Sequence, residues 1–143
     1  MPPNVLESSL PPTPVQVLAI SPEDGDLELL RAIFAHSNWT LHTASTLAEA
    51  VDLLRYNSIP VVICERDLPD GTWKDILANA GSFPRPPHVL VTSRLADERL
   101  WAEVLNIGGY DVLAKPFVAA EVFRTISLAW LNWRDMKRTA AAA

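Results

Sequence analysis

The chain has 143 residues, 17 Asp plus Glu against 12 Lys plus Arg, 49% hydrophobic residues and one cysteine. That length suits a single domain, and a net charge of −5 argues against a surface built for nucleic-acid phosphates. One cysteine excludes an intramolecular disulfide or a cysteine-based zinc cluster; with no signal-peptide pattern and no apolar run of membrane-span length, a cytoplasmic domain is expected, with neither nucleic acid nor membrane as partner.

Twelve prolines are many for a regular fold unless they are confined to its edges. Pro2, Pro3, Pro11, Pro12 and Pro14 make residues 1–14 read as an irregular, extended arm. Residues 15–20 are a short β-branched run suited to a strand buried on both faces. Residues 23–36 place Leu27, Leu30, Ile33 and Phe34 at helical spacing. A second strand over 39–44 leads into a helix over 45–56, with Ser45 as its expected N-cap and Leu47, Ala50, Val51 and Leu54 inward.

A third buried strand spans 60–64 and a short helix 73–80. A fourth strand over 88–92 precedes a helix over 95–107, which Gly108 and Gly109 end where a left-handed residue is wanted. The fifth strand spans 110–113, and a long helix begins at Val118, with Val122, Ile126, Ala129 and Trp133 as its core stripe. Pro60, Pro69, Pro84, Pro86, Pro87 and Pro116 fall at strand starts or loops, and Pro22 follows the first strand. The expected domain covers 15–136, with a low-complexity tail over 137–143.

Strands alternating with helices imply an α/β fold: a five-stranded parallel sheet, flavodoxin-like in strand order 2-1-3-4-5, with helices on both faces. In such a fold the working site lies beyond the carboxyl ends of the strands, which directs attention to Ser21, Pro22, Glu65, Thr92, Ser93 and Lys115.

VLVTS in the fourth strand, GGYDVLAKPF around the fifth and ERDLPDG after the third, in this order, resemble the receiver domain of two-component response regulators. In an active receiver an aspartate ending the third strand takes a phosphoryl group from a histidine kinase. An acidic pair after the first strand helps hold Mg²⁺, and a hydroxyl and a lysine bind the phosphate oxygens. The resemblance puts the hydroxyl on Thr92 and the lysine on Lys115. The acceptor position falls on Glu65, the acidic pair on Ser21 and Pro22, and the switch aromatic on Val112.

Those departures imply a receiver with its chemistry lost. Glutamate reaches one methylene too far, and Ser21 and Pro22 offer Mg²⁺ no carboxylate. The expectation is a pseudo-receiver, not an enzyme and without a cofactor, in which Glu65 reaches toward Lys115. It would act by association with a signalling protein, such as a histidine kinase or an output protein. One alternative is a working phosphoacceptor that holds Mg²⁺ through Glu23 and Asp24, with Asp67 a further candidate acceptor. Another is a flavodoxin-like small-ligand domain or enzyme, although SPEDGD after the first strand is no glycine-rich phosphate cradle.

Trp101 and Leu105 on the fourth helix, with Phe123, Leu128, Trp130 and Leu131 on the last, mark an expected partner-binding or homodimer face made by the fourth helix, fifth strand and fifth helix. Cys64 is expected as a core residue, and His36, His42 and His88 lack metal-ligand spacing.

Overall fold

Val17, Leu18, Ala19 and Ile20 are all buried, so the first strand, β1 (Gln16–Ile20), can only lie inside a sheet covered on both faces. The computed structural model describes the backbone of residues 15–142 and the side chains of 15–136; the expected arm over 1–14 lies outside the described residues. After β1 come α1 (Asp24–Phe34), β2 (Thr40–Ala44), α2 (Leu47–Tyr56), β3 (Val61–Glu65) and α3 (Trp73–Ala80). They are followed by β4 (His88–Ser93), α4 (Glu98–Ile107), β5 (Asp111–Ala114) and α5 (Ala119–Ala142). The five strands form one parallel sheet in the order β2-β1-β3-β4-β5, the expected flavodoxin-like arrangement.

Strand alternation divides the core into two layers. Val17, Ala19, Ile63, Leu90 and Leu113 face α1 and α5, where Leu27, Leu30, Val122, Ile126 and Ala129 meet them. Leu18, Ile20, Val62, Cys64, Val89 and Val91 face the other way, against Ala50 and Leu54 of α2, Trp73 and Ile76 of α3, and Leu100 and Val104 of α4. Burial on both faces explains why these strands read as continuous apolar runs.

The starts of α2, α3 and α4 are set by short polar side chains that accept orphan N–H groups. Thr46 is the N-cap of α2, not the expected Ser45, and its Oγ1 accepts from Glu49 N at 3.2 Å. Asp70 adds a second cap from a distant loop, accepting from Leu47 N at 2.7 Å and Ala48 N at 3.1 Å. These bonds hold the Asp70 carboxyl below its ordinary pKa, so its contribution is present above the usual carboxylate range and is lost as pH falls through the lowered value. In the sequence Asp70 stands out only as part of a family motif. In the fold, the segment around it makes a small antiparallel hairpin, Asp67–Leu68 against Gly71–Thr72, that was not expected.

At the far end of α4, Gly108 adopts φ 117°, the left-handed conformation expected at a C-cap. Gly109 is required for space: a Cβ there would overlap the Val104 side chain. Along α5, Val122, Ile126 and Ala129 form the expected stripe, but Trp133 departs from it. Its indole Nε1 donates to Pro86 O at 3.2 Å, and the Arg85 guanidinium lies 3.6 Å from its ring centroid. The backbone of α5 continues as helix through Ala142, into the expected tail.

Ile126 is fully buried between α5 and the sheet. Truncation by Ile126→Ala is expected to lower unfolding free energy by about 3 kcal/mol, read by urea denaturation with an unchanged m-value.

Candidate functional site

The strand register assembles the site. Glu65 at the end of β3 is the direct neighbour of Thr92 in β4, and Ser93 pairs with Ala114, the residue before Lys115. Three successive strand ends thus deliver a carboxylate, a hydroxyl and an ammonium to one spot. The Lys115–Pro116 peptide is cis.

Lys115 is the centre of this arrangement. Its side chain is only 4% exposed, and its Nζ donates to Glu65 Oε2 at 2.8 Å, to Asp26 Oδ2 at 2.8 Å and to Glu23 Oε2 at 3.5 Å. An ammonium has three hydrogens, and here three carboxylates surround it. Burial by itself pushes the Lys115 pKa down. The hydrogen bonds and charges of Asp26 and Glu65 outweigh that, so the group is held above the ordinary lysine value.

The remaining valences are taken up locally. Thr92 Oγ1, buried, donates to the same Glu65 Oε2 at 2.9 Å. Ser21 Oγ donates to Asp26 Oδ2 at 3.0 Å and accepts from Glu23 N at 3.1 Å. Ser21 therefore does not act as a ligand in its own right; it orients Asp26 toward Lys115. Pro22, beside it, is exposed and adds no polar group to the cluster. The Arg94 guanidinium reaches Glu23 at 3.8 Å across a cavity of about 290 Å³ that Glu23, Asp26, Leu29, Lys115 and Phe117 also line.

Asp26 is the residue that sequence reasoning missed. Glu23 and Asp24 stand out as substitute ligands in the sequence because they follow the strand immediately. Of these, Glu23 does reach Lys115, at 3.5 Å, while Asp24 is exposed; helical geometry turns Asp26, in the first turn of α1, to the strand ends in its place. The signal available was its place in that first turn. Asp67 also lies apart from the cluster, exposed and paired with Arg66 at 3.0 Å.

A divalent cation fits this site poorly. One oxygen of each of the two nearest carboxylates, Asp26 Oδ2 and Glu65 Oε2, already accepts two hydrogen bonds, and the Lys115 ammonium lies between them. Among the described residues no group of three or more His, Cys, Asp or Glu has metal-binding geometry. To enter, Mg²⁺ would have to displace a buried ammonium from two carboxylates.

The second expected site is the surface of α4, β5 and α5. Trp101, Leu105, Leu128 and Leu131 are exposed, Trp101 by 51%. Phe123 and Trp130 do not belong with them. Both pack on the α1–α5 core layer, and Phe123 stacks edge-on against Trp39 at 5.1 Å beside Phe34. Their helical positions fall on the α1 side of α5, and spacing alone could not separate the two flanks of a helix that is apolar around most of its circumference. Val112 is half-buried against the opposite core layer, so the site offers no aromatic ring at that position.

Removing the ammonium leaves two largely buried carboxylates facing each other. Lys115→Met is expected to cost about 3 kcal/mol near neutral pH, measured by urea unfolding. Because the Lys115 pKa is raised on folding, its contribution is complete below the ordinary lysine value and is lost as pH rises through the higher folded value. Wild-type stability should therefore fall above pH about 10.4, and the Met variant should lack that fall.

No protein-family model matches the chain. Over 110 residues it is 32% identical to the probable transcriptional regulatory protein TcrX of Mycobacterium tuberculosis, a match covering 76% of this chain and 47% of that protein. The chain thus aligns with about half the length of that curated relative. Among solved structures, the signal receiver domain of an HD domain-containing protein from Pseudomonas fluorescens superposes with TM-score 0.81 at 20% identity, covering 91% of this chain and 96% of that one. The beryllofluoride-activated NtrC4 receiver domain dimer superposes with TM-score 0.74 at 25% identity, covering 82% and 98%. With its sheet order, its strand-end cluster and these relatives, the chain belongs to the receiver domains of response regulators.

Proposed function

We propose that this receiver domain is a signalling module of a two-component system that does not run the aspartyl phosphorylation cycle and works by associating with other proteins. One observation carries the reading: the acceptor position is a glutamate already closed into a hydrogen-bonded ion cluster with Lys115, Asp26 and Thr92. Phosphoryl transfer depends on placing the acceptor oxygen in line with the donor and on neutralising the charge that develops. Here one oxygen of the acceptor carboxylate, Glu65 Oε2, is engaged with two donors, and an incoming phosphate would meet three carboxylates.

The same cluster supplies a fixed state. Glu65 places a permanent negative charge beside Thr92 and Lys115, the two groups that the family resemblance assigns to phosphate binding. A covalent switch is replaced by an ion pair formed when the chain folds, so output is set by which partner is bound. Signalling partners, a histidine kinase or an output protein, would then read the surface of α4, β5 and α5, where Trp101, Leu105, Leu128 and Leu131 are exposed. The module has no enzymatic role in this reading. Among the described residues no helix is long and apolar enough to cross a membrane, in keeping with the expected cytoplasmic location.

The test is intact-mass spectrometry after incubation with acetyl phosphate and Mg²⁺. The wild-type chain is expected to remain unmodified. The triple variant Glu65→Asp, Ser21→Asp, Pro22→Asp, which restores the acceptor and the acidic pair, is expected to gain a phosphoryl mass. A phosphoryl mass on wild-type Glu65 or Asp67 would overturn the proposal in favour of an acceptor with altered metal ligands.

A further inference from the structure

A groove of about 350 Å³ opens at the end of the sheet opposite the ion cluster, between the C-terminus of α2 and the segment that joins α3 to β4. Tyr56, Ile59, Phe83 and Pro84 give it an apolar, aromatic lining. Phe83 packs partly on the core layer shared by α2 and α3. Tyr56, the last residue of α2, is 79% exposed, so its ring is not needed to cover the core.

Two arginines line the groove and no carboxylate does. Arg85 is held beside it by stacking over the Trp133 ring, and Arg55 is exposed in the last turn of α2. Neither forms an ion pair among the described residues. Val17 of β1 pairs with Val61 of β3, so the chain enters β1 at the same end of the sheet where Ile59 leads into β3. The sequence just before that entry, residues 5–14, reads VLESSLPPTP. It holds a Pro-x-x-Pro pattern from Pro11 to Pro14, two leucines, and Glu7 as its one charged residue.

We infer that residues 5–14 of this chain dock in the groove, with the prolines and Leu10 against Tyr56 and Phe83 and with Glu7 facing the arginines. Proline-rich segments suit aromatic-lined grooves because their extended conformation is largely set before binding, so little entropy is lost on docking. At about 3.1 Å per residue, the seven steps from Pro14 back to Glu7 span about 22 Å, while β3 lies only about 5 Å from β1. Attachment one strand away gives the segment an effective concentration of about millimolar, which favours it over a free peptide of the same kind. A two-fold contact between copies through this face would set Arg55 and Arg85 against themselves, whereas Glu7 offers them opposite charge. The inference is independent of the phosphorylation reading, which concerns the other end of the strands.

The experiment uses the full chain, ¹⁵N-labelled, with a nitroxide attached through the substitution Ser9→Cys; Cys64 is buried and stays unlabelled. The nitroxide is expected to broaden the amides of residues 54–59, Phe83 and Arg85. Residues 38–41, at the start of β2 on the other side of β1, should keep most of their intensity. The broadening should persist when the labelled chain is mixed with an excess of isotope-free chain that carries no nitroxide. It should be lost in a Pro11→Ala, Pro14→Ala double variant and, separately, in Tyr56→Ala, which removes an exposed ring and leaves the core intact. Equal broadening on both sides of β1, or none on either, would overturn the inference. Broadening that disappears on mixing would also overturn it, by assigning the groove to the segment of a second copy. So would shifts of the groove amides on adding a free peptide of residues 5–14, because the groove would then be open.

Discussion

An ammonium buried among carboxylates organises the working end of this domain. Lys115 loses nearly all its hydration, and a lone buried charge is among the costliest things a fold can contain. It is tolerated because Asp26 and Glu65 each meet it at 2.8 Å, with Glu23 completing the set. Those carboxylates come from the first turn of α1, the end of β3 and the loop after β1, so one cation ties together segments that are far apart in the chain. Ser21 and Thr92 then donate to the same oxygens and leave little freedom in the cluster.

Ser21 and Glu65 act together in this arrangement. Ser21 provides a hydroxyl that steers Asp26, and Glu65 Oε2 meets Lys115 and Thr92 at once. The acidic crevice thereby holds a cation that belongs to the protein itself. The ammonium is attached by a covalent stem, so it is bound without the entropy cost of capturing an ion from solution.

The exposed apolar surface around Trp101 adjoins the same edge strand. β5 places Val112 and Ala114 beside Trp101 of α4 and, immediately afterwards, Lys115 in the ion cluster.

What the sequence determined by itself was the architecture. Apolar β-branched runs alternating with helical spacing can be covered on both faces only in a parallel sheet, and the punctuation by Pro and Gly set the element ends to within a few residues. Glu65, Thr92 and Lys115 were legible because each lies at or just past the end of a strand, and strand ends in this fold converge on one edge. The tertiary structure alone decided which carboxylate joins them. Asp26 was chosen over Asp24 by the rotation of α1, a quantity that strand order does not fix. It also decided that Asp70 caps α2 from another loop, and that Phe123 and Trp130 belong to the core while Trp101 does not. In each case periodicity names the residues on a helix or loop, but only packing against a particular neighbour determines which of them meets water, charge or core.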